Sequence, residues 1–257
     1  KVDSNGMKHL VSTLQPATSG IWLVGGNDEG IKSVTSTLKG IFSEFETVAI
    51  KARQRSIQAK AGEDVLTELP ILRQGIQIYD TQREWSSTPG AFAKGKLDKG
   101  TELLLTYLKE HPKKRVLEAV DFATGTGILA HAVQQLYPEA NIEAIEADAW
   151  VLEAAKQNLQ QIQLQLSDGW TSIDSRKRYD LLVSNPPVHM GKSNDYSILE
   201  GLLLGMRGRM HMKGVGLLVV QSHVFVPRFL PPAIGKSKPR AEEVAQGNGY
   251  KIWQVKL

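Results

Sequence analysis

The run from Val120 to Glu146 constrains the fold more than any other part of the chain. It opens with a short strand, Val120-Asp121-Phe122, passes through the small-residue turn Ala123-Thr124-Gly125-Thr126-Gly127, and enters a helical pattern carried by Ile128, Leu129, Ala132, Val133 and Leu136. A second apolar strand then ends at Glu146, nineteen residues beyond Gly127. Two strands joined through a helix return the chain parallel to itself, so this spacing is that of a βαβ unit. Gly125 and Gly127 let the backbone pass close to a ligand and leave N–H groups available at the start of the helix. An acid ending the second strand can accept both hydroxyls of a ribose.

The same alternation continues on both sides. Leu104, Leu105 and Leu108 give residues 101–110 an apolar helical face, and further helices are expected over 149–159 and 199–212. Strands are expected over 162–166, 179–184 and 216–222, with 250–255 as an edge strand. Glu118 interrupts the apolar run before the glycine turn, so that strand is expected to begin at Ala119. Residues 227–240, rich in proline and lysine, read as a connection without a helix. The expected fold is therefore α/β and Rossmann-like: a largely parallel sheet with helices on both faces, binding ligands beyond the carboxyl ends of its strands.

A second motif lies where such a ligand would sit. The strand Leu181-Leu182-Val183-Ser184 ends in Asn185-Pro186-Pro187-Val188. Asn185 offers a carbonyl acceptor, and the two prolines remove N–H donors while holding φ near −65°, so that neighbouring carbonyls can face a donor on a ligand. An exocyclic base amine is such a donor.

With these residues the chain resembles the class I S-adenosylmethionine-dependent methyltransferases. Within them it is similar to the family of ribosomal RNA small subunit methyltransferase C and its large-subunit counterpart, which modify the N2 amine of guanine. Four blocks carry the resemblance: Pro89-Gly90-Ala91-Phe92-Ala93 with Leu97-Asp98-Lys99-Gly100-Thr101-Glu102-Leu103-Leu104-Leu105, the turn from Asp121 to Gly127, Glu146 with its helix, and Asp180-Leu181-Leu182-Val183-Ser184-Asn185-Pro186-Pro187. The resemblance implies S-adenosylmethionine as cofactor, bordered by Phe92, Asp98, Thr101, Ala123, Gly125, Gly127, Glu146 and Asn185. Asp121 either positions the methionine part of the cofactor or caps the turn. Asp168, in Ser167-Asp168-Gly169, either accepts the adenine amine or makes a turn of its own. Asn185 and the Pro186 carbonyl would grip the target amine, with Pro187 and Val188 completing the motif. Many relatives carry an aromatic residue after the two prolines to stack on the target base, and here Val188 takes that place. Two other readings stay open, a catalytically silent ribosome-assembly or RNA-binding factor and a methyltransferase for another amine or amide.

Residues 1–80 form a separate part ahead of a cofactor-binding domain over 81–257. Ile21 to Ser33 reads as a strand, a glycine turn and a helix beginning near Ile31, continued by Val34 and Leu38, and residues 45–52 read as a strand. The pattern Gly25-Gly26-Asn27-x-x-Gly30-Ile31-Lys32-Ser33 resembles the family's N-terminal domain, a degenerate α/β copy of the methyltransferase fold of which residues 1–80 are expected to hold only the later part, so a structural role is expected for this turn.

Charge and composition agree with an RNA partner. Lys and Arg number 31 against 27 acids, for a net charge of +4 and a pI near 9.1. Lys94, Lys96 and Lys192 flank the two motifs and are the candidates for phosphate contacts from ribosomal RNA or a ribosomal subunit. The absence of cysteine excludes disulfides and thiolate metal sites, and the six histidines lack metal-ligand spacing, so no metal is expected. His189 reads as a pocket-rim residue. No apolar run reaches the roughly 20 residues of a membrane span. The expected location is intracellular, in the cytoplasm, or in a mitochondrion or plastid if a targeting peptide was removed.

Overall fold

The computed structural model describes residues 20–27, 30–39, 42–61, 71–88, 91, 96–190, 193–234 and 238–257. Within them the chain forms two compact units. One holds the described residues up to Leu72 together with Thr88, the other those of Arg73–Ser87 and Ala91–Leu257. The division expected between residues 80 and 81 falls at the turn of a hairpin, β4 (Leu72–Ile78) and β5 (Thr81–Ser87), which belongs to the second unit from Arg73 onward.

In the first unit, β1 (Gly20–Gly26), β2 (Phe42–Lys51) and β3 (Gln54–Ala61) form an antiparallel sheet in the order β1-β3-β2. The glycine turn after β1 leads into a 3-10 turn (Ile31–Ser33) and a single helical turn, α1 (Val34–Thr37). Ile31, Val34 and Leu38 pack on Phe42, Ile57 and Ala59. β3 escapes a sequence reading because Ile57 is the one large apolar residue in its alternation.

The second unit is built on a seven-stranded sheet of β6 (Glu118–Phe122), β7 (Asn141–Glu146), β8 (Gln163–Leu166), β9 (Tyr179–Ser184), β12 (Met210–Gln221), β13 (Arg240–Gly247) and β14 (Tyr250–Lys256). Between β9 and β12 lies a short two-stranded ribbon, β10 (His189–Met190) with β11 (Ser193–Asn194). The sheet order is β13-β14-β12-β9-β6-β7-β8, parallel from β12 to β8, with β14 antiparallel to both its neighbours. Successive side chains of a strand enter opposite layers. Leu181 and Val183 join α2 (Lys99–Glu110), α3 (Ile128–Leu136) and Ala155 of α4 (Ala149–Asn158) in one core, whereas Leu182 joins α5 (Ser197–Met206) in the other. Helices on both faces make this the expected α/β architecture.

Three expectations are corrected. β6 begins at Glu118, not Ala119, because Glu118 sits at the polar amino end of the sheet: its carboxylate accepts from Asn141 Nδ2 at 2.8 Å and its N–H donates to Asp180 at 3.2 Å. α5 stops at Met206, where its apolar face of Leu199, Leu202, Leu203 and Met206 ends. The Arg209 N–H turns back to the Met206 carbonyl, and Met210 and Met212 belong to β12. β14 is internal, with β13 outside it. β13 is a half-exposed edge strand of mostly polar sequence, joined to β14 by Asn248 and Gly249 at φ +52° and +82°. Asn-Gly with both φ values positive is the signature of a two-residue hairpin, and it is the sign of this pair that the sequence carries.

Candidate active site

β6 and β9 pair only over Ala119–Asp121 and Leu181–Val183. Beyond that stretch, Ser184 Oγ donates to the Phe122 carbonyl at 2.6 Å, and past this tie the two chains diverge into the crevice where a doubly wound sheet binds its ligand. A cavity of about 400 Å³ lies there, lined by Lys96, Asp98, Thr101, the glycine turn, Glu146, Asn185 to Val188 and Tyr250. An adjoining hollow of about 340 Å³ shares Ala123, Glu146 and Pro187 with it and adds Asp168 and Trp170. Both fall in the size range of small-molecule sites.

The glycine turn is shaped to lie against a ligand. Ala123, Gly125 and Gly127 take φ of +56°, +59° and +94°. A Cβ on Gly125 would meet nothing within 4 Å, so its bare backbone faces open space. Ala123 adopts this conformation at a cost of about 1–2 kcal/mol, a strain held in place by neighbours. Thr124 donates its N–H to the Ile145 carbonyl at 2.9 Å and its hydroxyl to Asp121 at 2.5 Å. The β4–β5 hairpin braces Thr126. Trp85 Nε1 donates to its hydroxyl at 3.0 Å, and Asn158 Nδ2 donates to its carbonyl at 2.9 Å while exchanging two 2.8 Å bonds with the Ser86 backbone.

Glu146 is fixed by three backbone donors. Gly125 N–H reaches one oxygen at 2.8 Å, and Ala147 and Asp148 N–H reach the other at 2.9 and 3.0 Å. The carboxylate therefore ties the end of β7 to the glycine turn while lining both hollows, with acceptor capacity remaining for a diol.

Asp121 does not line either hollow. It is 1% exposed, and its Oδ2 accepts from Thr124 Oγ1 and from Ala130 N–H at 2.9 Å, the contacts of a cap. Its Oδ1 is buried without a partner. Burial pushes this carboxyl up from 3.8 to about 7, helped by the Glu146 charge and opposed by the bonds from Thr124 and Ala130. A folded state that binds this proton more tightly than the unfolded chain is favoured at low pH and loses that advantage as pH rises through about 7. Thermal unfolding of the parent should thus lose about 2–3 kcal/mol more between pH 5 and 8 than Asp121→Asn, which retains an acceptor for both donors and cannot ionise. Equal pH slopes for the two proteins would show that Asp121 is ionised throughout.

Asn185 is held by its nitrogen. Nδ2 donates to Asp98 Oδ2 at 2.9 Å and to Thr101 Oγ1 at 3.0 Å. Because a carboxylate only accepts, the amide must turn its NH2 toward Asp98 and its oxygen to the opposite side. Asp98 is itself the N-cap of α2, accepting the Thr101 N–H at 3.0 Å. Pro186 and Pro187 line the cavity, as does Val188, which is only 6% exposed and packs with the core around Trp170 and Leu199.

The structure thus brings together Asp98, Thr101, Ala123, Gly125, Glu146, Asn185, Pro186, Pro187 and Val188, with exposed Lys96 at the same cavity and exposed Asp168 in the adjoining hollow. Gly127 shapes the turn from behind, where a Cβ would strike Leu159. Phe92, Lys94 and Lys192 lie outside the described residues, and so does the side chain of His189. Sequence reasoning missed Asp148, Val151, Val220, Gln221 and Tyr250 among the lining residues, and the position of Tyr250 follows from the hairpin at Asn248-Gly249. The residues present fit a nucleoside carrying an amino-acid tail: an anchored carboxylate for the ribose, bare backbone at Gly125, and a neighbouring hollow with Asp168 for a base. Among the described residues no cluster of acids and histidines is placed to hold a metal ion.

Known proteins are similar to this chain in sequence and in fold. Residues 82–254 match the methyltransferase small domain. A ribosomal RNA small subunit methyltransferase C of Psychromonas ingrahamii is 31% identical over 86% of this chain and 63% of its own length. A protein of the same name from Acinetobacter baylyi is 27% identical over 96% of this chain and 73% of its own. The chain thus spans just under two thirds of the first of these relatives. In fold it is similar to a T. Thermophilus 16S rRNA N2 G1207 methyltransferase solved in complex with AdoMet and guanosine, with a TM-score of 0.80 at 18% identity over 98% of this chain and 69% of that one. The chain belongs to the methyltransferase small domain family.

Proposed function

We propose that this protein methylates the N2 amine of a guanine in ribosomal RNA. The observation that carries the reading is the orientation of Asn185, whose nitrogen is engaged by Asp98 and Thr101 so that its oxygen serves as an acceptor for an amine. The names of the two relatives and of the fold neighbour supply the class of RNA. S-adenosylmethionine brings a methyl group already activated on a sulfonium. What remains for the protein is to align a poor nucleophile. The lone pair of guanine N2 is spread into the ring, and acceptors at Asn185 and the Pro186 carbonyl would take both amine hydrogens, favour a pyramidal nitrogen and stabilise the positive charge that grows on it. The methyl–sulfur bond breaks as the methyl–nitrogen bond forms, S-adenosylhomocysteine leaves, and the cationic amine then releases its extra proton to water, so no strong base is needed before transfer.

Each flanking residue has a role in this reading. Glu146 accepts the ribose hydroxyls, Gly125 and Ala123 present backbone to the amino-acid part, Asp168 accepts the adenine amine, and Asp98 with Thr101 holds Asn185. Lys96, at the mouth of the cavity, takes a phosphate, together with Lys94 and Lys192. The protein would work inside the cell, where ribosomal RNA is. Among the described residues no helix is long and apolar enough to cross a membrane.

Glu146→Ala should weaken binding of S-adenosylmethionine by about 1–3 kcal/mol in calorimetry, since charge-assisted bonds to two hydroxyls are lost. An unchanged Kd would remove Glu146 from the cofactor site. The target amine is tested with ribosomal RNA transcripts carrying inosine in place of guanosine, which lack the 2-amine. Labelled methyl groups should enter the guanosine transcript and not the inosine one. Equal labelling of both would refute guanine N2 as the acceptor. Val188, which offers no aromatic platform after the two prolines, favours one alternative, a silent RNA-binding factor, and that alternative predicts cofactor binding with no label in either RNA.

A further inference from the structure

We infer that Tyr250 is a positioning residue for methyl transfer, its phenol holding Asp98 so that the Asn185 amide keeps its oxygen toward the target amine. The inference rests on the role proposed for Asn185. Asp98 has two oxygens with different tasks. Oδ2 accepts from the Thr101 N–H at 3.0 Å and from Asn185 Nδ2 at 2.9 Å, whereas Oδ1 accepts from the Tyr250 hydroxyl at 3.0 Å. A carboxylate held at only one oxygen can swing about its terminal bond, and χ2 of aspartate is broad. With the phenol on the second oxygen, the plane of the carboxylate is set, and with it the direction from which Asn185 must donate.

The backbone shows that this contact is built in. Gly100 lies in the first turn of α2, where glycine is less favourable than alanine by about 0.5–1 kcal/mol. A Cβ there would stand 2.6 and 2.8 Å from Cδ1 and Cε1 of Tyr250 and 3.0 Å from Asp98 Oδ2. The missing side chain of Gly100 is the seat of the Tyr250 ring. The antiparallel course of β14 brings its first residue to the carboxyl end of the sheet, beside the cavity. Burial, with the adjacent Asp98 charge, raises the phenol above its ordinary value, so it remains a donor at neutral pH.

Tyr250→Phe keeps the ring and removes only the donor. It should lower kcat by about 10-fold and leave the Kd for S-adenosylmethionine within about twofold, as expected for an interaction that serves the transition state. In the Asn185→Ala background the same change should cost nothing further, because Tyr250 acts through Asn185. Gly100→Ala, which displaces the ring, should reproduce the loss. Parent kcat in Tyr250→Phe, or losses that multiply with Asn185→Ala, would overturn the inference. A second readout does not depend on turnover: the side-chain NH2 signals of Asn185 in nitrogen-15 NMR should shift and exchange faster in Tyr250→Phe. Unchanged signals would overturn the positioning role even if the parent proved to transfer no methyl group, whereas altered signals in an inactive parent would uphold the geometry and refute only the activity.

Discussion

Replacing Asn185 by alanine is expected to lower kcat by about 10²–10³-fold while cofactor affinity stays within about twofold of the parent. The asymmetry follows from where the side chain stands. Its nitrogen is engaged with Asp98 and Thr101, and its oxygen has its largest effect on charge that appears only as the amine attacks. Removing it leaves the Asp98 cap on α2 intact through the Thr101 N–H, so stability should change little. Single-turnover kinetics with saturating cofactor separates the two quantities, and equal losses in kcat and cofactor binding would place Asn185 on the cofactor instead.

Gly127→Ala should be the most damaging single change in the glycine turn, costing about 2–5 kcal/mol of stability. Its φ of +94° strains any L side chain, and a Cβ there would lie 2.6 Å from Cδ1 of Leu159, which is 6% exposed. Backbone strain of about 1–2 kcal/mol and overpacking of about 1–3 kcal/mol add in the same direction. Gly125→Ala is its control. There φ is +59° and no atom lies within 4 Å, so the fold should lose only about 1 kcal/mol while the new methyl projects into the ligand's space. Denaturant unfolding beside calorimetry should therefore show Gly127→Ala losing the fold and Gly125→Ala losing mainly cofactor affinity. The reverse order would contradict the account of the turn.

Much of this site is legible in the amino-acid sequence, for a physical reason. Parallel strands buried on both faces, such as Leu181-Leu182-Val183, are near-continuous apolar runs, and the ligand residues sit at their ends, where the apolar run stops. Glu146 and Asn185 stand out for that reason, and Asp98 stands out as the polar residue just ahead of an apolar helical face. What the sequence hides is what long-range contact creates. Trp85, Ser86 and Asn158 brace the glycine turn across 32 to 72 residues of sequence, and no local pattern encodes such a brace. Tyr250 is hidden differently, since β13 carries polar residues on a half-exposed edge and gives no alternation to read. The sequence pattern extends α5 too far because Met210 and Met212 continue a helical spacing that the return into β12 overrides. Asp121 shows a further limit: the sequence leaves a cofactor contact and a cap on the turn equally open, and only the folded chain shows its burial and the two bonds of a cap.

The most direct measurement is the identity of the methylated nucleoside. Purified protein, S-adenosylmethionine and ribosomal RNA from cells lacking the protein are combined, the RNA is digested, and the nucleosides are separated and fragmented by mass spectrometry. N2-methylguanosine should appear with the parent and fall by about 10²–10³-fold with Asn185→Ala. A methyl group on any other atom, or no methylated nucleoside from a protein that binds the cofactor, would contradict the assignment of Asn185 to the guanine amine.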